Sequence, residues 1–134
     1  MAADFKAIGQ YDTVLATIAS ATVIEPGDLV ALTSGVVTKA NASSAEIAFA
    51  PAGSAEGETQ IEVTVGRVQL EGTGDAAFAV TQKGTEVDIV GTTTLLIDVG
   101  ASATDVLRIS AKEDAGTVGS TDGIKVEINK PINF

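Results

Sequence analysis

The chain has 134 residues, a formal net charge of −10, no Cys and no His. The two absences exclude disulfides, thiolate and imidazole metal sites, and every nucleophile relay that runs through Cys or His. The 18 acidic side chains outnumber 8 basic ones that are scattered singly, which excludes the clustered cations that nucleic acid or an anionic membrane surface demands.

The expected partners are therefore neutral or basic proteins. The length suits one domain with its own core. MAADFKAIGQ has neither the basic start nor the apolar centre of a signal peptide, and no apolar run approaches the ~20 residues of a membrane-spanning helix. The expectation is a soluble chain made in a cytoplasm. Aromatic residues make up only 4 % of it, so core volume must come from small and β-branched side chains that suit a pleated sheet.

In chain order, residues 1–12 have no clear period and are expected to form an extended amino-terminal arm ahead of a single all-β domain, 13–134. TVLATIASATVI (13–24) is rich in Thr, Val and Ile and precedes a proline, which favours a strand or strand pair over a helix. Pro26-Gly27 has the signature of a type II turn, and Ser34-Gly35 marks a second tight turn. With DLVAL and VVTKA around that second turn, the opening segment reads as a three-stranded meander. EIAFAPA is a strand that Pro51 ends or confines to an edge. TQIEVTV alternates cleanly, and the phase shift after Gly66 predicts a bulge or turn at Gly66-Arg67. AFAVTQ, TEVDIV, TTTLLIDV, VLRISAK and GIKVEINK complete about ten short strands with glycine-centred breaks. GASATD (100–105) reads as a loop or one helical turn, because Ser102 and Asp105 have capping-box-like spacing. The fold class expected is an antiparallel β-sandwich or small β-barrel with many short strands and little or no helix.

Reactive chemistry finds little support. Ser110 and Lys112 share a strand phase, which is commonplace on a solvated face. Asp88 and Asp98 sit inside apolar runs and are the carboxylates best placed for acid–base work; alternation makes them outward-facing or loop caps. Glu113-Asp114 and Asp122 are the best oxygen donors for calcium, without the spacing of a calcium loop. GTGD (72–75) and GTVGSTDG (116–123) lack the lysine and the helix of a phosphate loop. No cofactor and no metal is expected. Isolated aromatics near the ends, Phe5, Tyr11 and Phe134, are the candidate partner contacts; the competing expectation is that they complete the core.

The order of the pieces carries a resemblance. VIEPGDLVALTSGVVTKANASSAEIAFAPAGSAEGETQIEVTVGRVQLEG, followed by KGTEVDIV, LLIDVGASATDVLRIS and GIKVEINKPIN, resembles the small β-rich decoration (cement, head-stabilising) proteins of tailed bacteriophage heads. The likeness spans residues 23 to about 132. It implies a non-enzymatic virion protein, usually a homotrimer, that binds the major capsid protein on the outside of the assembled head and contacts the shell through an amino-terminal arm. The alternative is a carbohydrate- or cell-surface-binding β module of a fibre or secreted assembly, which the lack of Trp and scarcity of Tyr disfavour.

Overall fold

Residues 3–134 are described by a computed structural model, and they form eleven strands and one 3-10 turn at Val80–Gln82. The strands are β1 Phe5–Ala7, β2 Asp12–Thr17, β3 Asp28–Thr33, β4 Val36–Lys39, β5 Ala48–Ala50, β6 Gln60–Val65, β7 Gln69–Gly72, β8 Glu86–Val90, β9 Leu96–Asp98, β10 Leu107–Ile109 and β11 Ile124–Ile128. They make a six-stranded sheet in the order β1-β7-β11-β10-β8-β9, a three-stranded sheet β4-β3-β5 and a two-stranded ribbon β2-β6. Every ladder is antiparallel. The all-β antiparallel class expected from the sequence is observed, and of the two forms expected, sandwich or small barrel, the sheets fit the sandwich.

The three-stranded sheet lies between the other two. Leu29, Ala31, Ala40 and Phe49 pack into the core beneath the six-stranded sheet. Their neighbours Val30, Val37, Ala48 and Ala50 pack into a second core with Val14, Ala16, Ile61 and Val63 of the ribbon. Alternation along a strand sends successive side chains to opposite faces, so a strand with apolar neighbours on both sides needs an unbroken apolar run. DLVAL supplies it, and AFA does so with two alanines that let the layers approach.

Local geometry follows the turn residues. The Asp28 N–H donates to Glu25 O at 3.1 Å across Pro26 and Gly27, and Gly27 takes φ +87°, as a type II turn requires. Ser34 and Gly35 both have positive φ, which is the type I′ geometry that matches strand twist in a hairpin. Gly66, at φ +78°, breaks β6 from β7 and sends them to different sheets.

Three expectations need correction. The opening segment is not a meander: β2 pairs with β6, because β4 and β5 already occupy the two edges of β3. AFAVTQ is not a strand; Gln82 closes a local turn by donating its N–H to Ala79 O and accepting the Ala79 N–H on its side chain. Nor is the amino-terminal segment a free arm. Its first two residues lie outside those described, but Phe5–Ala7 pairs with β7 at the edge of the largest sheet, and the Phe5 N–H donates to Gly27 O at 3.1 Å.

Phe5 is 1 % exposed and lies opposite Gly72. A Cβ at Gly72 would come within 2.5 Å of the Phe5 ring, so the glycine leaves the space that the ring fills. Phe5→Ala is expected to cost about 3–5 kcal/mol in denaturant unfolding, the usual range for a buried Phe truncation. A chain lacking residues 1–12 should melt far below the intact protein, an outcome that calorimetry reads directly.

Candidate functional site

Two places combine charge with burial, and each has to be judged as chemistry. The first is a cleft of about 520 Å³ lined in part by Asp4, Asp28, Lys39, Thr93 and Leu95. Lys39 Nζ sits 3.2 Å from both the Asp4 and the Asp28 carboxylates and donates to Thr93 O. Asp4 also accepts the Leu95 N–H at 3.0 Å. A nucleophilic or basic lysine needs a free lone pair, hence a depressed pKa. Burial pushes the Lys39 amine down, but the hydrogen bonds and charges of Asp28 and Asp4 outweigh it and hold the amine above its ordinary value. With three acceptors around it and its proton held, Lys39 anchors residue 4, the middle sheet and the β8–β9 loop to one another.

The second place is a group of carboxylates at the β8–β9 pair, where Asp88 stands opposite Asp98. Asp88 is buried. It accepts the consecutive backbone N–H groups of Ala103, Thr104 and Asp105 at 2.9, 2.9 and 2.8 Å, together with the Thr104 hydroxyl. Successive N–H groups converging next to a positive-φ residue form an anion nest, and Asp105 has φ +55°. Residues 101–105 are accordingly a loop wrapped on Asp88 and not a helical turn. Burial pushes the Asp88 carboxyl up, but those backbone donors prevail and hold it below the usual carboxylate range. Asp98 moves the other way: burial, then the hydrogen bond and charge of Asp75, then the charge of Asp88 raise it. Asp75 in turn accepts the Val99 N–H at 3.1 Å. Asp88 is thus a structural loop cap, and the repulsion is concentrated on Asp98.

Four further cations form surface pairs with acids. Arg108 meets Glu86 at 3.0 Å, Lys125 meets Asp114 at 2.7 Å, Lys83 meets Glu113 at 3.6 Å and Arg67 meets Glu127 at 3.7 Å. Among the described residues no group of three or more acidic side chains has the geometry to hold a metal ion. Asp114, one of the sequence's calcium candidates, is held below its ordinary pKa chiefly by Lys125. Ser110 Oγ accepts the Lys112 backbone N–H in a local turn.

What the fold leaves bare is apolar. Tyr11, just before β2, and Leu15, in its middle, are 39 % and 63 % exposed, Val80 and Val118 are 59 % and 63 % exposed, and Val23 and Leu32 are 46 % and 43 % exposed. Val80 and Val118 stand on two segments joined by the Phe78 N–H to Ser120 O and Gly119 N–H to Phe78 O bonds. Of the three aromatics singled out in the sequence, Phe5 is core, while Tyr11 and Phe134 are exposed, the latter by 46 %. Tyr11 immediately precedes the strand that carries Leu15, and Phe134 lies apart, at the chain end.

Leu15 was hidden in the sequence because TVLAT is apolar in both phases, so nothing local says which phase is covered. Val80 was hidden by the reading of AFAVTQ as a strand. No protein-family model matches the chain, and neither curated proteins nor solved structures show a significant match.

Asp88→Ala leaves three backbone donors without their acceptor and is expected to cost about 2–3 kcal/mol, in line with hydrogen bonds to a charged group. Asp98 has the opposite sign. Its folded pKa lies above its unfolded one, so the folded state gains stability as pH falls through the raised value and carries the full repulsion above it. Asp98→Asn should therefore raise the melting temperature at pH 7, and this gain should shrink as the pH approaches the ordinary carboxylate value of 3.8. Thermal melts of the two variants across pH check both statements.

Proposed function

We propose that this chain is a bacteriophage capsid decoration protein: a non-enzymatic, virion-exterior body that binds the major capsid protein of an assembled head and stabilises it. The observation that carries the reading is the distribution of bare apolar side chains. They are spread over several places, among them the β2 edge, the Val80/Val118 loop pair, Val23, Leu32 and the chain end at Phe134, on a body whose buried charges are consumed by its own loops. A protein that works within a lattice needs more than one contact surface, one toward the shell and another toward its neighbours. Exposed Val, Leu and Tyr on an otherwise polar surface are suited to both.

The physics of decoration suits such a body. A ligand that binds only the assembled shell stabilises it by mass action, so each copy need contribute only a few kcal/mol when many copies act together. A sheet body with cores on both sides of its middle layer resists deformation when the shell pushes outward. The charge of −10 keeps unbound copies soluble and away from the packaged nucleic acid.

In this reading Val80 and Val118 face the shell, because they belong to loops anchored on the larger core through Phe78. Adding a charge there should abolish the contact without disturbing that core. Val80→Glu with Val118→Glu is expected to reduce co-sedimentation with expanded capsids at least tenfold, while the melting temperature changes little. Wild-type protein that stays in the supernatant at every capsid concentration would sink the proposal.

A further inference from the structure

We infer that the free edge of β2 docks a second copy of this chain, the two β2 strands pairing antiparallel about a two-fold axis at Thr13. The backbone defines the edge. The Ile18 N–H donates to Thr59 O at 2.9 Å, toward β6. In an antiparallel ladder the direction of N–H and C=O alternates along the strand, so Asp12, Val14 and Ala16 also point toward β6 while Thr13, Leu15 and Thr17 point away. Ala19 obeys the same alternation: its N–H donates outward to Val37 O at 2.9 Å. With the Ile18–Val37 bridge, β4 covers the edge from Thr17 onward. Among the described residues, Thr13 and Leu15 have no ladder partner on their outward side, and Tyr11 precedes them in the same phase.

The side chains of that phase complement themselves. Val14 and Ala16 pack against the core, and Tyr11 and Leu15 stand out from it. A two-fold at Thr13 sets Tyr11 against the partner's Leu15, Thr13 against the partner's Thr13, and Leu15 against the partner's Tyr11. Aromatic–aliphatic and Thr–Thr cross-strand pairs are among the favourable ones. The backbone pattern fits as well, because Thr13 and Leu15 of β2 present outward groups.

Local neutrality disfavours a basic foreign strand and leaves the edge's self-complementary side chains to favour a second copy. The protein as a whole is strongly acidic, so two copies repel over most of their surfaces. Residues 13–17 carry no charge, and Asp12 lies in the opposite phase. A foreign basic strand would find no acid in the outward phase of this edge, whereas a copy of β2 finds its own complement. The segment also lacks the lysine, proline or bulge that proteins use to block such edges.

The contact is short. It falls below the ~1,200–2,000 Å² of a standard stable interface, so pairing is weak in dilute solution and strengthens where copies are crowded together. Its symmetry is two-fold and so differs from the three-fold association that the resemblance to decoration proteins implies. It joins copies in pairs, independently of how any of them meets a shell.

The chain has no Cys, which gives a direct test. Directly opposite residues in a hydrogen-bonded antiparallel pair have Cα atoms ~5.5 Å apart, within disulfide reach. Thr13→Cys should therefore crosslink to a dimer under mild oxidation at least tenfold faster than Thr33→Cys, an exposed control. Sedimentation velocity of the intact wild type, from about 10 μM to about 1 mM, should show a monomer–dimer equilibrium. Leu15→Lys and Thr13→Pro should each weaken it at least tenfold without lowering the melting temperature. A wild type that stays monomeric over the whole range overturns the inference. So does a trimer, or a Thr13→Cys variant that crosslinks no faster than the control. None of these measurements uses a capsid, so their failure is distinct from failure of the decoration reading.

Discussion

The structure depends on burying both faces of a three-stranded sheet. β3 can serve two cores only because Leu29 and Ala31 point one way and Val30 the other, with Phe49 on one side and Ala48 and Ala50 on the other. Small residues on the ribbon side bring the β2–β6 pair close. A large side chain at Ala48 or Ala50 would force the layers apart, and overpacking a filled core costs about 1–3 kcal/mol. The low aromatic content follows from this arrangement, because interlayer space is filled by many branched aliphatic groups and the few large rings go where a glycine or a loop leaves room. Phe5 against Gly72 is one such place, and Phe78 against Gly116 is another.

Charge has a matching division of labour. Lys39 ties together the amino-terminal segment, the middle sheet and a loop of the largest sheet, and Asp88 organises the loop that follows β9. Buried ions of this kind are retained only with their hydrogen-bond requirements met, and both sites meet them with fixed neighbours. The same saturation removes them from chemistry, since a lysine that keeps its proton and a carboxylate filled with backbone donors have nothing to offer a substrate. The remaining acidic excess lies mostly at the surface.

What the fold leaves unsatisfied is apolar surface and one stretch of backbone. Edge strands are normally blunted because an open ladder invites pairing. β2 has one end covered by β4 and the other end open, and Thr13 and Leu15, whose backbone groups face outward there, are uncharged. An open edge of this kind can make a weak, directional contact with little demand on sequence.

Much of the fold was legible in the chain itself. Local chemistry set the β class, the type II turn at Pro26-Gly27, the tight turn at Ser34-Gly35 and the break at Gly66, because φ preferences and alternation act over a few residues. The chemical exclusions that follow from lacking His and Cys were equally plain. Only the tertiary structure decided which strands meet: β2 pairs with β6 because the edges of β3 were taken, and Phe5 became core because Gly72 faced it. Whether Leu15 or Val14 was covered, and whether Asp88 faced water or a loop, also depended on contacts between residues distant in sequence. Local propensity carries no record of those contacts, since a run that is apolar in both phases fits either orientation equally well until another layer arrives to cover one of them.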